Sequence, residues 1–320
     1  MNRNLSPQQL PWCHYPKAND IESHGLCELP LFLTLVDWTE IKKYRSNKFK
    51  TEALTKLTNK QILELASITA RSFAQNEPMV RHVQLPSLMP EQLLNSFHHD
   101  PFGNEGFGEW TSENNFFWFI RLFSLTNPSD PIENIKINAD SVDFSLAILD
   151  ENKSVIGGAF NSVMKAEDAP FRDGDPFLDT IIQVYTPNFD LIFTQEHEAV
   201  EALKEKYQEF RMALENQKVG LHFLIARSPA LPKEDTFELV AASAETFRHH
   251  GCQYMLVAAS NQWTGAACEA LNGTRVHYSP YRSKKRVPLI KDATSTEPYS
   301  IDGYISAKDS GAMFYVIKLN

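Results

Sequence analysis

From Val219 onward the chain swaps between apolar runs of strand length and longer stretches of helical period. The pattern predicts strands at Val219 to Ala226 and Tyr254 to Ala259, and helices at Asp235 to His250 and Trp263 to Leu271. Arg275 to Tyr278 and Ala312 to Leu319 read as closing strands. Strand, helix, strand in succession implies a parallel pair, because a parallel connection needs a long crossover.

Upstream, the pattern is one of hairpins and amphipathic helices. Val142 to Leu149 and Val155 to Val163 are apolar runs separated by Asp150-Glu151-Asn152-Lys153-Ser154, which predicts an antiparallel hairpin. Gly157-Gly158 in its second strand marks a bulge or a close backbone approach. Thr58 and Gln61 have capping-box spacing, and Ile62, Leu65, Ala66, Thr69 and Phe73 share one face. A helix therefore starts there and stops at Asn76-Glu77-Pro78, with Leu63 and Ile68 off its stripe. A strand is expected at Phe49 to Leu54. Glu196 to Asn216 carries Ala199, Val200, Leu203, Tyr207, Phe210 and Leu214 on one stripe, an amphipathic surface helix.

These elements predict an α/β domain over residues 48–320, a mixed twisted β-sheet flanked by helices, with an insertion at about 165–218. Residues 1–47 form an extension broken by Pro7, Pro11, Pro16 and Pro30, within which Leu29 to Trp38 is a strand or a packed arm.

Composition narrows the function classes. At 320 residues, 42% hydrophobic and 22% charged, the chain has enough apolar mass for a sizeable core. Its net charge of −9 argues against nucleic acid as the main partner. No apolar run approaches the ~20 residues that a spanning helix needs, so no membrane partner is expected. The N-terminus lacks the apolar core of a signal peptide, and Cys13, Cys27, Cys252 and Cys268 show no Cys-x-x-Cys pairing, which together predict a reducing cytoplasm. No metal is expected: His98-His99-Asp100 are adjacent and point apart, and Arg172-Asp173-Gly174-Asp175 lacks the later ligands of a calcium loop. The aromatic run Asn114 to Phe123 reads as core or as the wall of a substrate pocket.

The strongest chemical signal lies between Leu221 and Val276. It runs Leu221-His222-Phe223-Leu224-Ile225-Ala226, a proline-rich turn, a helix, Tyr254-Met255-Leu256-Val257-Ala258 and Asn261, then Cys268 and Asn272-Gly273. This layout resembles the GNAT superfamily of N-acetyltransferases, whose core is strand, phosphate-binding turn, helix, strand and Asn-x-x-Ala-x-x-x-Tyr. Thr264 stands at the Ala position of that motif and Cys268 at the Tyr. The segment before Pro78, with Ala70-Arg71-Ser72-Phe73, is similar to the first helix of the family.

The resemblance implies an acyltransferase that takes acetyl-CoA or another acyl-CoA and acts on a small-molecule amine. In it, backbone groups around Ile225 and Ala226 hold the thioester and pantetheine. Arg227, Lys233 and Thr236 lie where the phosphates bind, and Asn261 contacts the pantetheine arm or stabilises the opened strand end. Arylalkylamine-type members place a His at the position of His222, a general base suited to neutral pH. The Tyr position implies that Cys268 protonates the departing thiolate. The residues also admit quieter roles: His222 as hydrogen-bonded packing, Cys268 as a small buried hydrophobe, Asn261 as a helix N-cap.

One part departs from the family. The phosphate-binding turn has the form Gln/Arg-x-x-Gly-x-Gly/Ala, whose glycines let backbone N–H groups approach the charge. Here Pro229 to Phe237 has no glycine, and Pro232 removes a donor. Asp235 and Glu238 are spaced as a variant capping box that would occupy the helix's first N–H groups, and Glu234 adds negative charge. These residues predict weakened coenzyme A binding, or none. The expected function is an N-acyltransferase; the alternatives are a degenerate relative serving as a binding or regulatory module, and different chemistry on the same scaffold with another ligand in the cleft. The oligomeric state is unknown from sequence.

Overall fold

The computed structural model describes residues 25–44, 49–76, 144–164, 196–232, 235–280, 289–290, 298–299 and 311–320. The expectations for 98–100, 114–123 and 172–175, and for Cys13, fall outside these residues. The strands are β1 (Gly25–Leu26), β2 (Lys50–Ala53), β3 (Leu146–Leu149), β4 (Val155–Val163), β5 (Val219–Arg227), β6 (Tyr254–Ala259), β7 (Thr274–Pro280), β8 (Leu289–Ile290), β9 (Pro298–Tyr299) and β10 (Gly311–Lys318). Helices are α1 (Trp38–Tyr44), α2 (Asn59–Asn76), α3 (Gln208–Glu215), α4 (Thr236–His249) and α5 (Gln262–Ala270). One eight-stranded sheet has the order β1-β7-β10-β6-β5-β4-β3-β2, and β8 and β9 form a separate pair.

Among the described strands β5 and β6 are the one parallel pair, connected through α4 as the strand–helix–strand pattern requires. The central strands are apolar on both faces, and alternate residues serve different layers. Met255, Val257, Met313 and Tyr315 join Phe237, Val240, Ala244 and Phe247 of α4 in one core. Tyr254, Leu256, Phe314 and Val316 face the other way, against Ala199, Leu203, Phe210 and Leu214. The amphipathic stripe expected over 196–216 thus covers the second face, but in two pieces. Residues 196–206 are helical, Tyr207 is extended, and α3 follows. Tyr207 donates its hydroxyl to the carbonyl of Pro30, 2.5 Å away.

The predicted capping box forms. Thr58 Oγ1 accepts from Gln61 N–H at 3.3 Å, and Gln61 Oε1 accepts from Thr58 N–H at 3.0 Å. The hairpin also forms, with Asp150 Oδ1 accepting from the backbones of Asn152 and Ser154. Gly157-Gly158 proves to be a close approach. A Cβ on Gly157 would meet Leu231, and one on Gly158 would collide with Leu65 of α2, so β4 is squeezed between two layers.

Within the extension, two elements escaped the sequence reading. In α1, Asp37 Oδ1 accepts from Thr39 and Glu40 N–H at 3.0 Å, an N-cap hidden in the apolar run from Leu29. Strand β1 pairs with β7, and Trp38 donates Nε1–H to Leu319 O at 3.2 Å, so the described part of the extension packs onto the sheet. Among the described residues no helix is long and apolar enough to cross a membrane.

Candidate active site

The β5–β6 ladder pairs Val219 with Tyr254, Gly220 with Met255, Leu221 with Leu256 and His222 with Val257, and there it ends. Strand β5 continues to Arg227, held on its other edge by β4. The two parallel strands therefore part at His222, and α4 and α5 begin beyond their carboxyl ends. That end of an open α/β sheet is where ligands bind. The β4–β5 register slips at the same place. Phe160 faces Leu224 and Asn161 faces His222, so Phe223 is the extra residue of a bulge. The fork leaves the β6-facing backbone of Phe223 to Ala226 outside any ladder among the described residues.

His222 stands at the fork, 2% exposed. Its Nδ1 lies 2.7 Å from Asn161 Oδ1, and its Nε2 has no hydrogen-bond partner among the described residues. Burial pushes the imidazole pKa down to about 3, so it is neutral at physiological pH. Asn161 donates Nδ2–H to Phe144 O at 2.8 Å and to Ser243 Oγ of α4 at 3.0 Å. Ser145 Oγ accepts from Asn161 N–H at 2.9 Å. Asn161, Ser145 and Ser243 are all buried. None of these three was singled out from sequence. The available signal was a lone Asn inside the apolar run Val155 to Val163, but its partner depends on the bulge.

The turn after β5 is closed on itself. Ser228 N–H donates to Ile156 O at 2.8 Å, Ala230 N–H to Ser228 Oγ at 3.1 Å, and Leu231 N–H to Ser228 O at 3.1 Å. Asp235 N–H donates to Pro232 O at 3.0 Å, and Arg227 Nη1 donates to Leu231 O at 3.0 Å. Asp235 occupies the N-cap position of α4, yet its side chain makes no cap hydrogen bond. The Asp235 half of the expected capping box is therefore not formed: with φ −81° and ψ 2°, Asp235 is not in the extended conformation that aims a capping side chain at the helix. Thr236 and Ala226 are buried and Ile225 is half-buried. Lys233 and Glu234 lie outside the described residues.

Asn261 is the N-cap of α5, its Oδ1 accepting from Trp263 N–H at 3.1 Å and Thr264 N–H at 3.0 Å. Cys268, on the same helix, is fully buried among Leu271, Tyr278, Met313 and Tyr315. Desolvation, with Glu269 adding to it, pushes its thiol pKa well above the usual range.

No protein family matches the chain, and no curated protein matches it in sequence. Solved structures do. Putative arylalkylamine N-acetyltransferase 7 of the yellow fever mosquito Aedes aegypti superposes with a TM-score of 0.50 at 11% identity, over 88% of this chain and 91% of that one. This chain has the GNAT fold. Arylalkylamine N-acetyltransferase 2 of Aedes aegypti gives a TM-score of 0.44 at 12% identity, covering 86% and 100% of the two chains. A putative acetyltransferase of Salmonella typhimurium, solved with its cofactor acetyl-CoA, gives 0.36 at 12% identity, covering 86% and 95%.

The resemblance read from the sequence implies acyl-CoA, and the residues here fit the two ends of that molecule differently. The open edge at Phe223 to Ala226 suits a pantetheine arm, which needs backbone partners along an extended strand. A pyrophosphate needs free N–H groups. Ser228, Ala230, Leu231 and Asp235 have theirs engaged, and Pro229 and Pro232 have none. The described loop before α4 therefore supplies no N–H to a pyrophosphate, and the Asp235 side chain does not cap the first N–H groups of the helix.

Proposed function

We propose that this chain is an N-acyltransferase that takes its acyl group from acetyl-CoA or another acyl-CoA and acts on a small-molecule amine. One observation carries the reading: a neutral, buried His222 stands at the strand fork with Nε2 unpartnered among the described residues. An unsatisfied buried nitrogen costs about 1–3 kcal/mol, so its persistence asks for a partner that arrives with function. An amine, or one water relaying to it, supplies the donor.

When bound, acyl-CoA supplies the activated acyl group. The β5 edge at Ile225 and Ala226 orients its pantetheine arm, and Asn261 organises the neighbouring end of β6 through the start of α5. The burial that keeps His222 neutral also makes it a weak base. It therefore serves the amine in its uncharged form, accepting a hydrogen bond first and the proton only as the nitrogen turns acidic. Arg227, Lys233 and Thr236 are the remaining candidates for phosphate contacts. We assign Cys268 to the core rather than to proton return. A thiol raised well above its ordinary value is a weaker acid than a free thiol near ~8.5, so the transfer would run uphill.

The closed turn favours a second reading, a degenerate GNAT-fold module that binds without transferring. Calorimetric titration with coenzyme A and with pantetheine separates the contributions. We expect the two affinities to agree within about tenfold, 1.4 kcal/mol, because the phosphates find few donors. A much tighter coenzyme A would show a working cradle, and no binding of either at millimolar ligand would favour the module.

A further inference from the structure

Polar side chains in an apolar core cost free energy unless each is satisfied, so their orientation is informative. Phe144 O can only accept. The Asn161 atom 2.8 Å from it is therefore the amide nitrogen, which leaves Oδ1 as the atom facing His222. Oδ1 also can only accept, so His222 Nδ1 at 2.7 Å carries the ring proton. A neutral imidazole has one such proton, and Nε2 is left with a bare lone pair.

From this the geometry points to Asn161 as a positioning residue that holds His222 in the Nδ1–H tautomer with Nε2 free to accept. The fold fixes Asn161 from three sides. Ser243 Oγ and Phe144 O take its amide protons, Ser145 Oγ takes its backbone N–H, and the bulge at Phe223 brings it opposite His222. Without Asn161 the proton is free to sit on Nε2, where it would block the nitrogen that the reaction uses. The use of Asn161 rests on the acyltransferase reading; its geometry does not.

The test is heteronuclear NMR of full-length protein with ¹⁵N-labelled histidine at neutral pH, His222 being assigned among the ten histidines with a His222→Gln variant. The wild type is expected to show a protonated Nδ1 and a bare Nε2. Asn161→Asp keeps the acceptor and should keep the proton on Nδ1, whereas Asn161→Leu should lose that preference. If turnover is detectable, Asn161→Leu should lower kcat on the order of 10²-fold or more, from the wrong tautomer. A wild-type His222 carrying its proton on Nε2, or an unchanged Nδ1–H signal in Asn161→Leu, overturns the proposal. An inactive wild type with the Nδ1–H tautomer would remove the transferase reading and leave the role of Asn161 standing; an active one with Nε2–H would do the reverse.

Discussion

His222 and Cys268 answer the same force in opposite ways. Burial disfavours charge, so it strips the proton from the imidazole and fastens it to the thiol. The first is left ready to accept and the second reluctant to give. Cys268→Ala should accordingly leave turnover within about twofold while lowering stability by roughly 1 kcal/mol, the usual scale of a small loss of packing. Parallel rate assays and denaturant melts check this; a large loss of kcat at unchanged stability would return Cys268 to the chemistry. His222 was legible because it interrupts an apolar strand just before a turn. Asn161 was not, because the slip that sets it opposite His222 is a property of two strands together.

At the scale of elements, periodicity and capping chemistry carried far. Helices α2, α4 and α5 and strands β3 to β7 and β10 lie where their apolar patterns put them, since each faces a layer that only an apolar stripe can cover. The turn after β5 was read correctly as poor in glycine but wrongly as capped by Asp235. What fills its donors is the local chain itself, through Ser228 and Pro232. Removing acidity alone should therefore do little. Pro232→Gly restores a donor and loosens the turn, and should tighten coenzyme A binding about five- to tenfold, the worth of one net hydrogen bond. Replacing both Glu234 and Asp235 with Gly serves as the comparison. If calorimetry shows the acidic pair mattering and Pro232 not, charge rather than donor supply governs the turn.

For the molecule as a whole, the suppressed basicity of His222 is a statement about stability. The unfolded chain binds a proton at this site near the ordinary value of ~6.5, and the folded chain only at about 3. Stability from this source is therefore full above the upper value. It falls as pH drops through the window between them, by about 1.4 kcal/mol per pH unit. Denaturant melts at neutral pH and near pH 5 should show a loss roughly 2 kcal/mol larger in wild type than in His222→Gln; equal losses would mean that the imidazole is accessible to protons. The central claim is transfer chemistry at the fork, and the most direct measurement is amine-dependent thiol release from acetyl-CoA across a panel of small amines, wild type against His222→Ala. The account predicts release with at least one amine and a fall on the order of 10²-fold in the variant. A folded wild-type protein that releases no thiol with any amine at millimolar acetyl-CoA would contradict it and leave a GNAT fold without the reaction.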